Sequence, residues 1–367
     1  MEKSNNKFKI RNSKFILGDT ITELKLLEAS SVDMIFCDPP YFLQLRKKLL
    51  RPDMSEVNGV KEKWDQFSSY QEYDNFTNNW LKECRRILKP SGTIWTIGTY
   101  HNIYRIGYHL QNLDFWILND LIWNKINPLP NFKGTRFTNA HEIMLWATKY
   151  KNSKYTFNYH TMKKMNNNKQ MRSDWSIKLC QGKERLKNHF NKTLHSTQKP
   201  EELIYRIILA STKPGNLVLD PFFGTGTTGV ICKKLGRKFI GIENNLEYMH
   251  AAKKRIIKTK PIDTSKIEEL SIKPIPEKIP FSKLLKKGLI SPGTKIFNYK
   301  KNIKATVLSS GNLMFKRKEG SIHKMGAYAQ NKVSCNGWTF WFVLYKNKLI
   351  SINDHRNFLR AEISKKD

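Results

Sequence analysis

The sequence is poor in acidic residues and in long apolar runs, and each shortage excludes a class of protein. Only 31 Asp and Glu stand against 65 Lys and Arg among 367 residues, which gives a formal net charge of +34. No apolar run reaches the ~18 residues that a membrane span needs, and residues 1–9 lack the apolar core of a signal peptide. We therefore expect a cytoplasmic protein, with no membrane partner, that binds a polyanion. A coding bias towards Lys, Asn and Ile is the alternative source of the charge.

Cysteine is also scarce. The five cysteines are odd in number, widely spaced and without a Cys-x-x-Cys pair. Such a pattern is typical of reduced core residues and indicates neither a disulfide framework nor a metal site. The sequence also has no Pro-Cys dipeptide, so no nucleophilic cysteine of the kind that cytosine-ring methylation uses is predicted.

Short apolar runs alternate with amphipathic stretches through the first 260 residues. Runs bounded by turn residues predict strands at 15–17, 32–37, 93–97, 217–219 and 239–242. Stretches with apolar residues on one face predict helices at 75–88, 200–212, 227–235 and 245–258, with a loop at 89–92. Strands that alternate with helices predict an α/β fold with a doubly wound, mostly parallel, Rossmann-like sheet.

The rest of the chain divides into insertions, a linker and a second domain. Residues 43–64 and 124–191 are polar, basic and interleaved with aromatic residues, so we interpret them as DNA-facing insertions of a first domain, residues 1–260. Prolines indicate a linker at 261–280. Residues 281–367 combine short alternating strands with an excess of basic residues, which predicts a small, mostly β domain that binds DNA. A purely structural role for this domain is the alternative.

A glycine loop follows the predicted strand at 217–219. It reads Asp220-Pro221-Phe222-Phe223-Gly224-Thr225-Gly226-Thr227, and glycine lets the backbone approach a ligand closely. The spacing is not GxGxxG and no lysine follows, which disfavours a pyrophosphate-containing cofactor. Glu243, beside Asn244, ends the next strand, where an acidic residue accepts hydrogen bonds from ribose hydroxyls. Loop and acid together predict a site for S-adenosyl-L-methionine, and a simple strand–helix turn is the alternative.

The tetrapeptide Asp38-Pro39-Pro40-Tyr41 ends another predicted strand, at the edge where such sheets bind ligands. An acid beside an aromatic ring suits a flipped base that carries an amine. Adenine N6 is a poor nucleophile because its lone pair is delocalised into the ring. If Asp38 and the Pro39 carbonyl each accept one N6 hydrogen, the lone pair points at the methyl donor while Tyr41 stacks on the base. These four residues form the predicted catalytic site.

The order of the two motifs resembles that of the β-class amino-methyltransferases, whose catalytic half precedes their cofactor half. The similarity covers about residues 15–255 and includes His195-Ser196-Thr197-Gln198-Lys199-Pro200. In that family this segment opens the helix beside the methionine end of the cofactor, which implies cofactor contacts for Thr197 and Lys199. Gly18-Asp19 is similar to the family's contact to the cofactor adenine, so the resemblance implies that role for Asp19.

Further stretches are similar to the HinfI and CcrM type of adenine methyltransferase. They are Trp123-Asn124-Lys125, Pro130-Asn131-Phe132, Gly134-Thr135-Arg136-Phe137, Asn139-Ala140-His141-Glu142, Gly320-Ser321-Ile322-His323 and Asn336-Gly337-Trp338. This group methylates adenine in GANTC, so the resemblance implies double-stranded DNA as substrate, and a cognate restriction endonuclease and a homodimer are further partners to consider. The expected DNA contacts are Lys125, Arg136, Ser321, His323, Asn336 and Trp338. Asn336-Gly337 is also typical of a hairpin turn, and Trp338 of a core anchor.

Three other functions stay open from the sequence. Methylation of cytosine N4 poses the same amine problem in the same fold, although Asp rather than Ser at position 38 favours adenine. A DNA-binding protein that keeps the fold but has lost the chemistry is the second. An RNA methyltransferase is the third.

Overall fold

The structure is a computed structural model that describes residues 7–10, 13–43, 63–131, 134–263, 279–345 and 348–363. The chain divides into two compact units, residues 1–273 and 274–367, and the division falls within the predicted linker at 261–280. Most of that linker, and residues 44–62 of the first predicted insertion, lie outside the described residues. Within the described ranges, no helix is both long and apolar enough to cross a membrane.

The first unit is built on a nine-stranded sheet. Its strands are β1 (Lys7–Ile10), β2 (Ser13–Leu17), β3 (Val32–Cys37), β4 (Leu88–Gly98), β5 (Trp116–Lys125), β6 (His141–Thr148), β7 (Asp174–Ile177), β8 (Leu217–Asp220) and β9 (Lys238–Glu243). They lie in the order β1-β2-β9-β8-β3-β4-β6-β5-β7. Neighbours from β2 to β4 are parallel, whereas β6 is antiparallel to β4 and β5. The predicted α/β fold with a mostly parallel sheet is confirmed.

Helices cover both faces of this sheet. They are α1 (Thr20–Lys25), α2 (Tyr70–Ile87), α3 (Ile103–Asn112), α4 (Tyr159–Met165), α5 (Glu201–Ser211), α6 (Thr227–Lys234) and α7 (Leu246–Lys258). Successive side chains of a strand point to opposite faces. Met34 and Phe36 of β3 therefore pack in one core with α5, α6 and α7, while Ile35 and Cys37 pack in another with α1, α2 and α3. Burial on both faces explains why the part of β3 from Met34 to Cys37 is a continuous apolar run.

The join between α2 and β4 differs from the prediction. The helix ends at Ile87, and the segment 89–92, expected to be a loop, belongs to β4. The pairing of β3 with β4 shifts register between Val32 and Met34. This irregularity admits Pro90, which has no N–H to offer to the strand ladder.

The structure places much of residues 124–191 inside the sheet and its core, in contrast to the predicted insertion. β6 and β7 are strands of the sheet, and α4 packs against the core. Trp146 stacks on Trp95 of β4 with 5.0 Å between ring centroids, and Trp123 and Trp175 are buried in the same cluster. These aromatic residues of a basic segment stabilise the core, because large apolar rings gain most from burial.

The second unit has its own antiparallel sheet. Its strands are β10 (Lys295–Phe297), β11 (Lys304–Val307), β12 (Leu313–Phe315), β13 (Lys318–Gly320), β14 (Phe342–Tyr345) and β15 (Lys348–Ser351), in the order β13-β12-β11-β10-β14-β15. Its helices are α8 (Phe281–Lys286), α9 (Ile322–Ala329), α10 (Gly337–Phe340) and α11 (Ile352–Ile363). The predicted sheet is confirmed, and these helices, which the alternating strand pattern does not predict, pack around a core that contains Trp341.

Asn336 and Gly337 do not form the predicted hairpin turn. The Asn336 side chain accepts a hydrogen bond from the Trp338 N–H and caps α10. A Cβ on Gly337 would lie 2.4 Å from the Ile322 carbonyl oxygen. The glycine is needed because it lets the start of α10 approach the start of α9 closely.

Candidate active site

The predicted motifs meet at one edge of the first sheet. β2, β9, β8 and β3 are parallel neighbours, so their carboxyl ends lie together. Asp38 follows β3, Asp220 ends β8, Glu243 ends β9 and Asp19 comes shortly after β2. The catalytic and glycine motifs, which are far apart in sequence, are therefore adjacent in the fold.

A cavity of about 250 Å³ opens at this edge. The predicted catalytic residues that line it are Asp38, Pro39, Pro40 and Tyr41. The predicted cofactor residues that line it are Asp19, Thr197, Phe222, Gly224, Glu243 and Asn244. Trp64, His195 and Tyr248 add aromatic walls, and the sequence motifs assign no role to any of them.

Two carboxylates stand where β2 and β9 reach the cavity. Glu243 accepts hydrogen bonds of 2.7 Å and 2.8 Å from the backbone N–H groups of Gly224 and Asn245, one on each oxygen. Asp19 Oδ1 accepts from the N–H and the hydroxyl of Thr22 and caps α1. A carboxylate oxygen has a second lone pair. Both side chains are thus fixed in place and still able to accept hydrogen bonds from a ligand's hydroxyl or amino groups.

His195 forms an aromatic wall of the cavity. Its ring stacks on Tyr248 with 4.7 Å between centroids and lies 6.0 Å from the Trp64 ring. Burial, with smaller contributions from two nearby cations, lowers its pKa to about 4. The Thr197 N–H donates to Nδ1 at 3.2 Å. His195 is therefore neutral at pH 7 and carries its proton on Nε2.

A recess of about 30 Å³ lies beside Asp38. The remaining predicted cofactor residues that line it are Lys199, Asp220, Phe223, Thr225 and Thr227. Asp220 accepts hydrogen bonds from the Thr228 hydroxyl and the Phe222 N–H, and burial raises its pKa to about 7. Gly226 lines neither space. Its φ of 76° and a Cβ position 2.7 Å from the Ala252 Cβ show that it makes the turn into α6.

Asp38 is paired with a lysine. Lys199 Nζ lies 2.8 Å from Asp38 Oδ2, and the lysine side chain is only 6 % exposed. The same ammonium lies 5.2 Å from the Tyr41 ring centroid. Burial raises the pKa of Asp38, and the Lys199 charge offsets part of that rise. Lys199 is thus the ionic partner of Asp38, and it also lines the recess beside it, where a cofactor contact stays a prediction.

Glu142, near the start of β6, joins this group although no sequence motif singled out its role. Its Oε2 lies 3.0 Å from the Tyr41 hydroxyl and 3.8 Å from Lys199 Nζ. Its Oε1 lies 2.9 Å from Nζ of Lys125, which ends the neighbouring strand β5. Burial alone would raise the pKa of Glu142, but the two lysines together lower it. The structure pairs Lys125 with Glu142 inside the site, with the lysine side chain only 10 % exposed, and its expected DNA contact stays a prediction.

A second unpredicted carboxylate holds the loop after the catalytic tetrapeptide. Asp65 accepts hydrogen bonds of 2.5 Å, 2.7 Å and 2.9 Å from the backbone N–H groups of Tyr41, Phe42 and Leu43. Three donors on one carboxylate form a nest of the kind that fixes a loop. Because Asp65 also lines the cavity, the conformation of the tetrapeptide depends on the cavity wall.

Pro40 contributes through its carbonyl. The Tyr73 hydroxyl donates to this oxygen at 2.8 Å, and the Asn102 side chain donates at 3.4 Å. Within the described ranges, no hydrogen-bond donor reaches the Pro39 carbonyl. The Pro39 carbonyl, which is the predicted acceptor for the base amine, is thus separate from the Pro40 carbonyl, which stabilises the loop.

The expected DNA contacts divide between exposed and buried residues. Arg136 is exposed, and its guanidinium lies 2.5 Å from the hydroxyl of Tyr100, which follows the carboxyl end of β4. Ser321 and His323 are exposed at the start of α9. Trp338 is 7 % exposed within the core of the second unit. Of the two roles expected of Trp338, core anchor and DNA contact, its burial favours the first.

The comparisons with known proteins agree with this geometry. A family model described as DNA methylase matches residues 32–254, more than half of the chain. The chain belongs to this family. A second model, described as Restriction Enzyme Adenine Methylase Associated, matches residues 262–365. In the part of the chain that the structure describes, no cluster of side chains is suited to hold a metal ion.

Individual relatives cover most of the chain. Type II methyltransferase M.HinfI of Haemophilus influenzae is 51% identical over 92% of this chain and 94% of its own length. Type II methyltransferase M2.LlaDCHI of Lactococcus lactis subsp. cremoris is 44% identical over 67% of this chain and 90% of its own length. The solved PvuII DNA methyltransferase (cytosine-N4-specific) covers 72% of this chain and 92% of its own, with a TM-score of 0.54 and 19% identity. At that identity the likeness concerns the fold alone.

The resemblance to HinfI-type adenine methyltransferases is confirmed. The protein is an enzyme, a site-specific DNA methyltransferase that acts on double-stranded DNA and uses S-adenosyl-L-methionine as methyl donor. The cytosine N4 alternative is not favoured.

Proposed function

We propose that this enzyme methylates the N6 amine of adenine within GANTC. The identity of 51% to M.HinfI over 92% of the chain supports the target. The single observation that carries the chemistry is Asp38, a carboxylate only 16 % exposed at the edge of the cavity, beside a proline carbonyl that no described donor reaches. An amine with two hydrogens fits these two acceptors.

On this proposal, Asp38 and the Pro39 carbonyl orient the amine so that its lone pair faces the methyl donor. Catalysis then consists mainly of positioning and electrostatic stabilisation. Tyr41 lines the cavity, and its ring provides the surface against which a base taken out of the duplex stacks. Lys199 keeps Asp38 ionised before the transfer, because its ammonium lowers the pKa of that carboxyl.

The cofactor supplies an electrophilic methyl group on sulfur, and the chain offers two spaces to hold it. Glu243 and Asp19 in the larger cavity suit the ribose hydroxyls and the adenine of the nucleoside. His195 and Tyr248 present neutral rings to the same cavity. The recess beside Asp38, with Asp220 and Thr227, suits the methionine end. A methionine end held in this recess would place its methyl group near Asp38, which lines the same recess.

DNA contacts come from two regions on this proposal. Arg136 and Tyr100 are exposed at the edge where β4 ends and β6 begins. A guanidinium there is free to bind phosphate or a base edge. In the second unit, Ser321 and His323 at the start of α9 are exposed, and the excess of basic residues suits a polyanion. Asn336 supports this region of the second unit through its side chain, which caps α10.

The proposal also covers the cellular setting. The Type II names of the relatives support a restriction-modification system, with a cognate endonuclease that cuts the unmodified sequence. We further propose a cytoplasmic location and a homodimer. Co-expression with the endonuclease tests the first point, and sedimentation of the purified enzyme tests the last.

Transfer of a labelled methyl group to short duplexes tests the proposed target. One duplex contains a single GANTC, and its partner contains the same bases in permuted order. Incorporation into the first duplex alone is expected. Equal incorporation into both would refute the proposed recognition sequence, and no incorporation into either would refute the proposed reaction.

A further inference from the structure

The Tyr41 hydroxyl lies between two carboxylates. Its oxygen is 2.9 Å from Asp38 Oδ1 and 3.0 Å from Glu142 Oε2. Both distances are hydrogen-bond distances, but a hydroxyl has a single proton and donates to one acceptor at a time. Both contacts are hydrogen bonds only when a second proton is present, so that one proton lies between Tyr41 and Asp38 and another between Tyr41 and Glu142.

Of the two carboxylates, Glu142 accepts the hydrogen bond that the Tyr41 hydroxyl donates. Lys125 holds its other oxygen at 2.9 Å, and Lys199 lies 3.8 Å from the oxygen that faces Tyr41. Two neighbouring cations keep Glu142 ionised, so it can accept the hydrogen bond of Tyr41 whether or not Asp38 carries a proton. The lone pair of the Tyr41 oxygen then faces Asp38, so both contacts are hydrogen bonds once Asp38 has gained a proton.

We propose that Glu142 is a positioning residue for methyl transfer, which holds the Tyr41 hydroxyl so that its oxygen accepts the proton that Asp38 takes from the methylated amine. Lys125 fixes Glu142 in this role. The inference rests on the proposed function, since it needs an amine held at Asp38.

The proton arises from the reaction itself. The N6 lone pair forms a bond to the methyl carbon while the carbon–sulfur bond breaks and its electron pair stays on sulfur. The nitrogen then carries a methyl group, two hydrogens and a positive charge. One hydrogen passes to Asp38 as a proton, and the N–H electron pair returns to nitrogen. Protonated Asp38 donates to the Tyr41 oxygen and later releases the proton to water.

Glu142→Gln reverses this arrangement with almost no change in volume. The amide oxygen accepts from Lys125, so the amide nitrogen faces Tyr41 and donates to its oxygen. The Tyr41 proton then turns to Asp38 and stabilises the ionised carboxylate. In this variant Asp38 becomes a weaker proton acceptor.

The first readout is the pKa of Asp38 without DNA or cofactor. Carboxyl resonances of ¹³C-labelled aspartate are titrated, and the Asp38 signal is assigned from its loss in Asp38→Asn. Lys199, Glu142 and Tyr41 act on this carboxyl, and Asp220 lies in the same recess. We expect Glu142→Gln to lower the Asp38 pKa by about one pH unit, and by much less when Tyr41→Phe is already present.

The second readout is the single-turnover rate at saturating cofactor. It is measured in the wild type, in Glu142→Gln, in Tyr41→Phe and in the double variant. We expect Glu142→Gln to slow transfer ~10-fold in the wild-type background and less than ~2-fold in Tyr41→Phe, since neighbouring residues that act through one another are not additive. The matched control is Asp74→Asn, which should keep the wild-type rate. Asp74 is a carboxylate of α2 that pairs with Arg105 of α3.

Equal effects of Glu142→Gln in both backgrounds would overturn the inference, because Glu142 would then act through its charge alone. An unchanged rate and an unchanged Asp38 pKa would overturn it as well. If Glu142→Gln does not fold, Tyr41→Phe alone decides. Protonated Asp38 loses its acceptor in this variant, so the Asp38 pKa must fall, and a rise would overturn the inference. Failure of the wild-type enzyme to methylate adenine would refute the proposed function instead.

Discussion

The two sides of the active site are built in different ways. Around Asp38, charged side chains from separate elements converge: Lys199 from the loop before α5, Glu142 from β6 and Lys125 from β5. Around Glu243, the ligands of the carboxylate are backbone N–H groups of its own and the neighbouring loop. The base side depends on ion pairs over long sequence distances, and the nucleoside side depends on local backbone geometry.

This difference has a functional consequence. A buried group of two carboxylates and two ammonium ions is nearly neutral as a whole, and the loss of one member leaves a partner without its counter-charge. Glu243, by contrast, is held by backbone N–H groups, which carry no net charge. Substitutions on the base side should therefore alter the rate of transfer, and substitutions on the nucleoside side should alter cofactor affinity.

The largest effect is expected for Asp38→Ala. This variant loses the acceptor that orients the amine, and the single-turnover rate should fall at least ~10³-fold while cofactor affinity changes little. Rapid-quench measurement of methyl transfer and calorimetry of cofactor binding check the two halves. Asp74→Ala, outside the cavity, is the control. A rate within tenfold of wild type would remove Asp38 from the centre of the site.

Lys199→Met should lower the rate ~100-fold at neutral pH and shift its pH dependence. Lys199 lowers the pKa of Asp38, so its removal raises that pKa, and ionised Asp38 is present only at higher pH. The acid limb of the rate profile should thus move to higher pH. Lys149→Met is the matched control, because Lys149 is also buried but donates to the Leu88 carbonyl. A limb that stays in place or moves to lower pH would break the assigned pairing.

Glu243→Gln should weaken cofactor binding ~10-fold and leave the single-turnover rate at saturating cofactor unchanged. The glutamine oxygen replaces only one of the two acceptors that the carboxylate offers. Equilibrium binding and the rate at saturation are measured in the same preparation, with the exposed Glu247→Gln as control. A loss of rate without a loss of affinity would erase the distinction between the two sides.

The smallest effect is expected for Arg136→Ala, which lies outside both sides. Loss of one phosphate contact should weaken duplex binding a few-fold and reduce the slope of log affinity against log salt by ~1. Arg172→Ala is the control, because Arg172 is paired with Asp174. An unchanged salt slope would show that Arg136 does not contact the backbone.

The residues on the nucleoside side could be predicted from the sequence because they stand in short segments at the ends of strands. The segment 220–227 and Glu243 lie at the ends of β8 and β9, where an α/β pattern places ligands. The roles of Glu142 and Asp65 could not be predicted from the sequence, because strand pairing and loop geometry determine their partners. Lys125 illustrates the same point: a lysine in a basic segment suggests DNA, and only the antiparallel pairing of β5 with β6 reveals its carboxylate partner.

The aromatic residues of 124–191 show a related limit. Trp146 and Trp175 stand among basic residues, which suggests a binding surface, yet both belong to strands and are buried. The short apolar stretch within His141–Thr148 was the available signal. A local composition does not say which face of a strand a ring occupies.

Mass spectrometry of nucleosides tests the central claim most directly. GANTC duplex is methylated to completion with the purified enzyme, digested to nucleosides and compared with duplex treated with Asp38→Ala. We expect N6-methyladenine from the wild-type reaction alone. N4-methylcytosine without N6-methyladenine would contradict it.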